Sequence, residues 1–181
     1  TGGQVDGLSP AAISGLKPSV IDKLSAQALQ SLDDAQMAAL TAQQAAQLTG
    51  TQIDALSAQQ ISKLSPAAVG ALSAQAIGSL DNAQVAALTA AQAAQLSGGQ
   101  VDALSAQQVS QLSAAAVASL TADALSSLDS AQMAALTAPQ AAALSATQID
   151  ALSAAQIGAL SAQAVGGLSA QALASLDQAQ V

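Results

Sequence analysis

Apolar and polar positions follow one another along this chain with a period of eight. Leucine occupies every eighth position from Leu8 to Leu176, 22 times without a gap. The residue after each leucine, with Thr1 opening the series, is Ser, Thr or Asp in 22 of 23 cases; Lys17 is the exception. Four residues past that polar position the side chain is always apolar, from Val5, Ile13, Ile21 and Leu29 through to Val181, with Ala45, Ala93 and Ala141 the smallest. Apolar residues therefore fall alternately five and three apart. One continuous helix does not fit this spacing. Eight residues advance about 800°, so each unit is displaced by roughly 80° and half the leucines would face water. A β-solenoid fits poorly as well, because Ala, Leu and Gln are weak strand formers and the prolines would fall badly.

Each unit instead reads as the start of a helix. Ser57 is an N-cap residue, and Gln60, three residues on, is its capping-box partner. Leu56 before the cap and Ile61 after it are spaced as a hydrophobic staple. Glutamine fills the capping-box position in 14 of 23 units; Val20 and eight alanines fill the rest. Pro10, Pro18 and Pro66 fall directly after the cap, where a missing N–H costs nothing, and Pro139 falls one further on. The pattern predicts that Leu and the cap are extended and that the next six residues are helical. The fold class is all-α: a solenoid of about 22 tandem eight-residue repeats, each a short capped helix, forming a single domain over residues 1–181. A helix this short is far below the ~12–15 residues that are marginally stable alone, so stability comes from neighbouring units.

A second period overlies the first. Residues 41–88, 89–136 and 137–181 align, each opening on an Ala-bearing unit and closing on an Asp-capped one. The result is a 48-residue higher-order repeat, six units from Thr41 to Thr89 and six more to Thr137. It is either a whole number of solenoid turns, for example two turns of three units, or only the length that was duplicated. Gly70, Gly78, Gly158, Gly166 and Gly167 fall late in their units, as expected for sharp helix exits or for close contact.

Composition narrows the chemistry. The chain has no aromatic residue and no Cys, His, Arg or Glu, and its net charge is −8, from eleven Asp against Lys17, Lys23 and Lys63. Three cations cannot neutralise a phosphate backbone, so no nucleic-acid partner is expected, and an anionic membrane surface is disfavoured for the same reason. Polar residues interrupt every apolar run well short of about 18 residues, so no membrane insertion is expected. The N-terminus lacks the basic region and apolar core of a signal peptide. The chain opens on a cap residue and stops in mid-unit at Val181, which reads as a segment of a longer array.

Two aspartate series invite a calcium reading. Asp33, Asp81, Asp129 and Asp177 recur once per higher-order repeat, but all occupy the N-cap column, where Asp does what Ser and Thr do elsewhere. Asp6, Asp54, Asp102 and Asp150 lie off the caps and read as a solvated face that keeps the array soluble. Asp34 and Asp123 sit in first helical turns and suit the helix dipole. Ser and Thr have no His to activate them as nucleophiles. Met37 and Met133 belong to the apolar column and are core. Glutamines such as Gln44, Gln92 and Gln140 could stack as a side-chain ladder, but capping explains them locally. No residue is singled out as catalytic, cofactor-binding or metal-binding; no cofactor and no enzymatic activity are expected.

Units such as Leu80-Asp81-Asn82-Ala83-Gln84-Val85-Ala86-Ala87-Leu88 and Leu152-Ser153-Ala154-Ala155-Gln156-Ile157-Gly158-Ala159-Leu160 resemble the octapeptide (Leu-Ser/Thr-x-x-Gln-Ile/Val-x-x) arrays of very large bacterial secreted or cell-surface, adhesin-like proteins. The resemblance covers the whole chain, with Lys17 and Val20 departing from the pattern. It implies an extended spacer, stalk or scaffold, secreted or at the cell surface, and carries over no site residue. Flanking domains of the same polypeptide and further copies, end to end or side by side, are then the expected partners. The alternative is an adhesive module that binds a ligand or calcium through a regular repeat face.

Overall fold

The computed structural model describes residues 5–178 and residue 180, and among them 21 short helices and no strand. The helices group in threes, each group one coil built from three units. Coil 1 (residues 9–32) holds α1 Pro10–Ser14, α2 Pro18–Ile21 and α3 Ala26–Gln30. Coil 2 (33–56) holds α4 Asp34–Ala38, α5 Ala42–Ala45 and α6 Gly50–Asp54. Coil 3 (57–80) holds α7 Ala58–Lys63, α8 Pro66–Ala71 and α9 Ala74–Gly78. Coil 4 (81–104) holds α10 Asn82–Ala86, α11 Ala90–Ala93 and α12 Gly98–Asp102. Coil 5 (105–128) holds α13 Ala106–Gln111, α14 Ala114–Ser119 and α15 Ala122–Ser126. Coil 6 (129–152) holds α16 Ser130–Ala134, α17 Ala138–Ala142 and α18 Ala146–Asp150. Coil 7 (153–176) closes the series with α19 Ala154–Ala159, α20 Ala162–Gly167 and α21 Ala170–Ala174.

Each helix packs on the helix three places later in the chain, which makes three columns of stacked helices. The six-unit period is therefore two whole coils. At the ~8–10 Å spacing of packed helices, seven coils make a rod roughly 55–70 Å long.

Local chemistry explains why every unit turns. The cap residue is extended, as at Ser57 (φ −72°, ψ 156°), and its hydroxyl oxygen accepts from the N–H three residues on. The helix then runs four to six residues, rather than a uniform six, before it tightens. The leucine N–H closes it by donating to the carbonyl three residues back, as in Leu64 N to Ile61 O at 3.2 Å, a 3₁₀-type exit. Leu64 itself is extended (φ −55°, ψ 138°), so the next cap follows at once. Lys17 forms no side-chain cap bond, and Pro18 at the first helical position starts α2 in its place. Thr1, Gln4 and Val181 lie outside the described residues.

The two apolar columns form one continuous core. From Leu32 to Leu168 every leucine of the period is buried, and Met37 and Met133 are fully buried. Leu8, Leu16, Leu24 and Leu176, in the terminal units, are only partly covered.

The late glycines resolve into two kinds. No glycine among the described residues has a positive φ, so none makes a left-handed helix exit. A Cβ on Gly78 would meet the Ala103 carbonyl oxygen at 2.8 Å, and one on Gly167 the Ala138 oxygen at 2.6 Å. These two, with Gly70 at 3.0 Å from Gln95, let the next or preceding coil approach. Gly158 and Gly166 face open space.

Candidate functional site

The most regular polar feature of the interior is the set of capping-box glutamines. Gln84 is representative. Its Oε1 accepts from the Asp81 N–H at 2.7 Å, while Asp81 Oδ1 accepts from the Gln84 N–H at 2.7 Å, which completes the capping box. Its Nε2 then reaches another coil. It donates to the carbonyls of Leu56 (2.6 Å), Ile53 (2.9 Å) and Asp54 (3.3 Å), the last carbonyls of α6 and its exit. The closing carbonyls of a helix lack the regular intrahelical partner. One carboxamide thus serves the N-terminus of one helix and the C-terminus of another, 28 to 31 residues earlier.

The arrangement recurs through the rod. Gln92 Nε2 donates to Ile61 and Leu64, Gln100 to Val69 and Leu72, Gln132 to Val101 and Leu104, and Gln140 to Val109 and Leu112. These glutamines are buried, Gln36, Gln44, Gln84, Gln92 and Gln140 to 1% exposure. No buried side-chain nitrogen or oxygen among the described residues lacks a partner. Capping accounts for half of each glutamine; the other half is the cross-coil ladder.

The three columns carry the glutamines differently. In the column of α4, α7, α10, α13, α16 and α19 they are unbroken: Gln36, Gln60, Gln84, Gln108, Gln132 and Gln156. In the other two columns glutamine and alanine alternate, as in Gln44, Ala68, Gln92, Ala116, Gln140 and Ala164. Coils 2, 4 and 6 therefore attach to the preceding turns through three glutamines, and coils 3, 5 and 7 through a single glutamine. The single-glutamine joints add a serine stitch instead. Ser79 Oγ donates to the Gly50 carbonyl at 3.0 Å, and Ser127 Oγ to Gly98 at 2.8 Å. This alternation is the physical content of the six-unit period.

The capping aspartates are committed to the same network. Asp33, Asp81 and Asp129 each accept from the N–H of the glutamine three residues on. They share a column but lie two coils apart, about 16–20 Å, whereas calcium ligands sit within about 2.6 Å of the ion. Among the described residues no three Asp, Glu, His or Cys side chains gather in a way that could hold a metal. Asp54, Asp102 and Asp150 are exposed at the ends of α6, α12 and α18.

Among the described residues the surface holds two ion pairs, Lys63–Asp34 at 3.3 Å and Lys23–Asp22 at 2.9 Å. Gln59 Nε2 also donates to Asp34, at 3.0 and 3.1 Å. Beside this cluster lies a shallow groove of about 490 Å³, between Gln30, Leu32, Asp34, Ala55, Leu56 and Gln59. Nothing in the repeat pattern announces it. Gln30 forms one wall and reaches across to the Ala55 carbonyl at 2.7 Å. The residue six units later is Gly78, which packs directly against Ala103. No helix among the described residues is long and apolar enough to cross a membrane.

No protein-family model and no curated protein matches the chain.

Proposed function

We infer that the chain is a non-enzymatic structural rod: a spacer, stalk or scaffold that sets the distance between parts of a larger polypeptide. The observation that carries this reading is the destination of the buried polar groups. The ladder glutamines are satisfied by the chain's own backbone, so each coil is the binding partner of the next. A composition without His, Cys, Arg or Glu supports the non-enzymatic part. The octapeptide resemblance supports a secreted or surface-exposed bacterial setting, and a net charge of −8 argues against a nucleic-acid partner.

Stacking of copies end to end belongs to the same reading. Sedimentation over a range of concentrations is expected to show growing linear species; a constant monomer mass would remove this part.

The spacer reading is tested by fusing fluorescent domains to both ends and inserting further six-unit repeats between them. Each insertion should lengthen the separation by about 16–20 Å, two coils at helix-packing distance. A separation that does not grow with copy number would sink the reading.

A further inference from the structure

We propose that the solenoid unfolds and refolds under tension in pairs of coils, six units at a time, rather than coil by coil. The basis is the alternation of its joints. Coil 2 is held on coil 1 and on the turn before it by Gln36, Gln44 and Gln52, whose amides reach Leu8, Ile13, Leu16, Ile21 and Leu24. Coil 3 is held on the preceding turns by Gln60 alone among the ladder glutamines, with the Ser79 stitch. Coil 4 again has three, Gln84, Gln92 and Gln100; coil 5 has Gln108 with Ser127. Coil 6 has Gln132, Gln140 and Gln148; coil 7 has Gln156 with Ser175.

In a linear array each coil is stabilised by its neighbours, so unravelling proceeds from the ends. When a three-glutamine joint fails, the coil behind it is left on a single-glutamine joint under the same force, and it follows. Peeling from either end then yields the same pairs: coils 1 and 2, coils 3 and 4, coils 5 and 6, with coil 7 by itself. The device makes the rod rigid up to a threshold and then extends it in large equal steps. It needs no ligand and does not depend on what the rod is attached to.

Single-molecule pulling of the 181-residue chain from its two ends tests this. Six units extend to roughly 160–170 Å and give up two coils of ~8–10 Å each, so main steps of about 140–150 Å are expected. Uniform steps of about 70 Å, one coil each, would overturn the proposal, and so would release of the whole chain in one event. A second chain carrying Gln92→Ala and Gln100→Ala leaves coil 4 held on the preceding turns by Gln84 alone among the ladder glutamines. With no three-glutamine joint of their own, coils 3 and 4 should follow the neighbouring pair in one merged step of about 280–300 Å; a separate step of about 140–150 Å for them overturns the assignment to glutamine. If that variant does not fold, the step size of the unaltered chain decides alone.

Discussion

The side-chain amide of Gln84 donates to the carbonyl oxygen of Leu56 at 2.6 Å, 28 residues back along the chain and just over one turn of the solenoid below. The same residue caps its own helix through Asp81. Short helices have a high proportion of unsatisfied backbone groups, and a chain of such short helices is mostly ends. This pairing meets donors of one end with acceptors of another through a single carboxamide.

Gln84→Ala should therefore cost more than the loss of an ordinary cap. The substitution takes the side-chain partner from the Asp81 N–H and from three buried or part-buried carbonyls, and about 2–3 kcal/mol is expected from urea unfolding. Gln84→Glu should cost at least as much, because a carboxylate then faces the Ile53 and Leu56 carbonyls with no donor. A loss below about 0.5 kcal/mol for both would mean that the ladder does not hold the coils.

The glycines separate into opposite outcomes. Gly78→Ala and Gly167→Ala place a methyl 2.8 and 2.6 Å from a backbone oxygen of an adjacent coil, and each should destabilise by about 1–3 kcal/mol. Gly158→Ala and Gly166→Ala meet nothing within 4 Å and should stabilise by about 0.5–1 kcal/mol through helix propensity. Thermal melts of the four variants check the sign at each position.

Much of this is legible in the sequence, and the reason is physical. Caps, prolines and apolar columns act within one unit, so Ser57, Pro66 and Leu64 announce their roles from their own neighbours. What lay hidden acts between coils. From its own unit Gln84 reads as complete with Asp81, and its second set of contacts depends on knowing that three units make a turn. The 48-residue period was visible, but its meaning needed the same number: only with three columns do Gln92 and Ala116 become alternate rungs of one stack. The late glycines pointed to close contact or to a helix exit, and the neighbour in space, Ala103 for Gly78, decides for contact. Gln30 carries no repeat signal at all, so the groove beside it could not be read.

Calcium should leave the melting temperature unchanged. The capping aspartates already accept from backbone N–H groups and sit two coils apart, so among the described residues millimolar calcium finds no set of six to eight oxygens. A rise of several degrees on titration would require a carboxylate site and would favour the adhesive alternative.

Lys63→Ala removes the ion pair with Asp34, 3.3 Å long and about half exposed on both sides. The expected change is under about 0.5 kcal/mol, shrinking further in added salt. Melts at low and high ionic strength give the answer directly, and a loss above about 1 kcal/mol would show that the surface, rather than the glutamine interior, sets the stability.

The most direct measurement of the coil itself uses the absence of cysteine. Ala35, Ala83 and Ala131 are exposed, and each occupies the same position of its unit in one column. Spin labels on Ala35→Cys with Ala83→Cys, and on Ala35→Cys with Ala131→Cys, report separations purely along the rod. Three units per coil puts the first pair two coils apart and the second four, giving about 16–20 Å and about 32–40 Å by pulsed dipolar spectroscopy. A second distance of about 50–60 Å would mean two units per coil, and one that fails to double the first would mean that the columns do not exist.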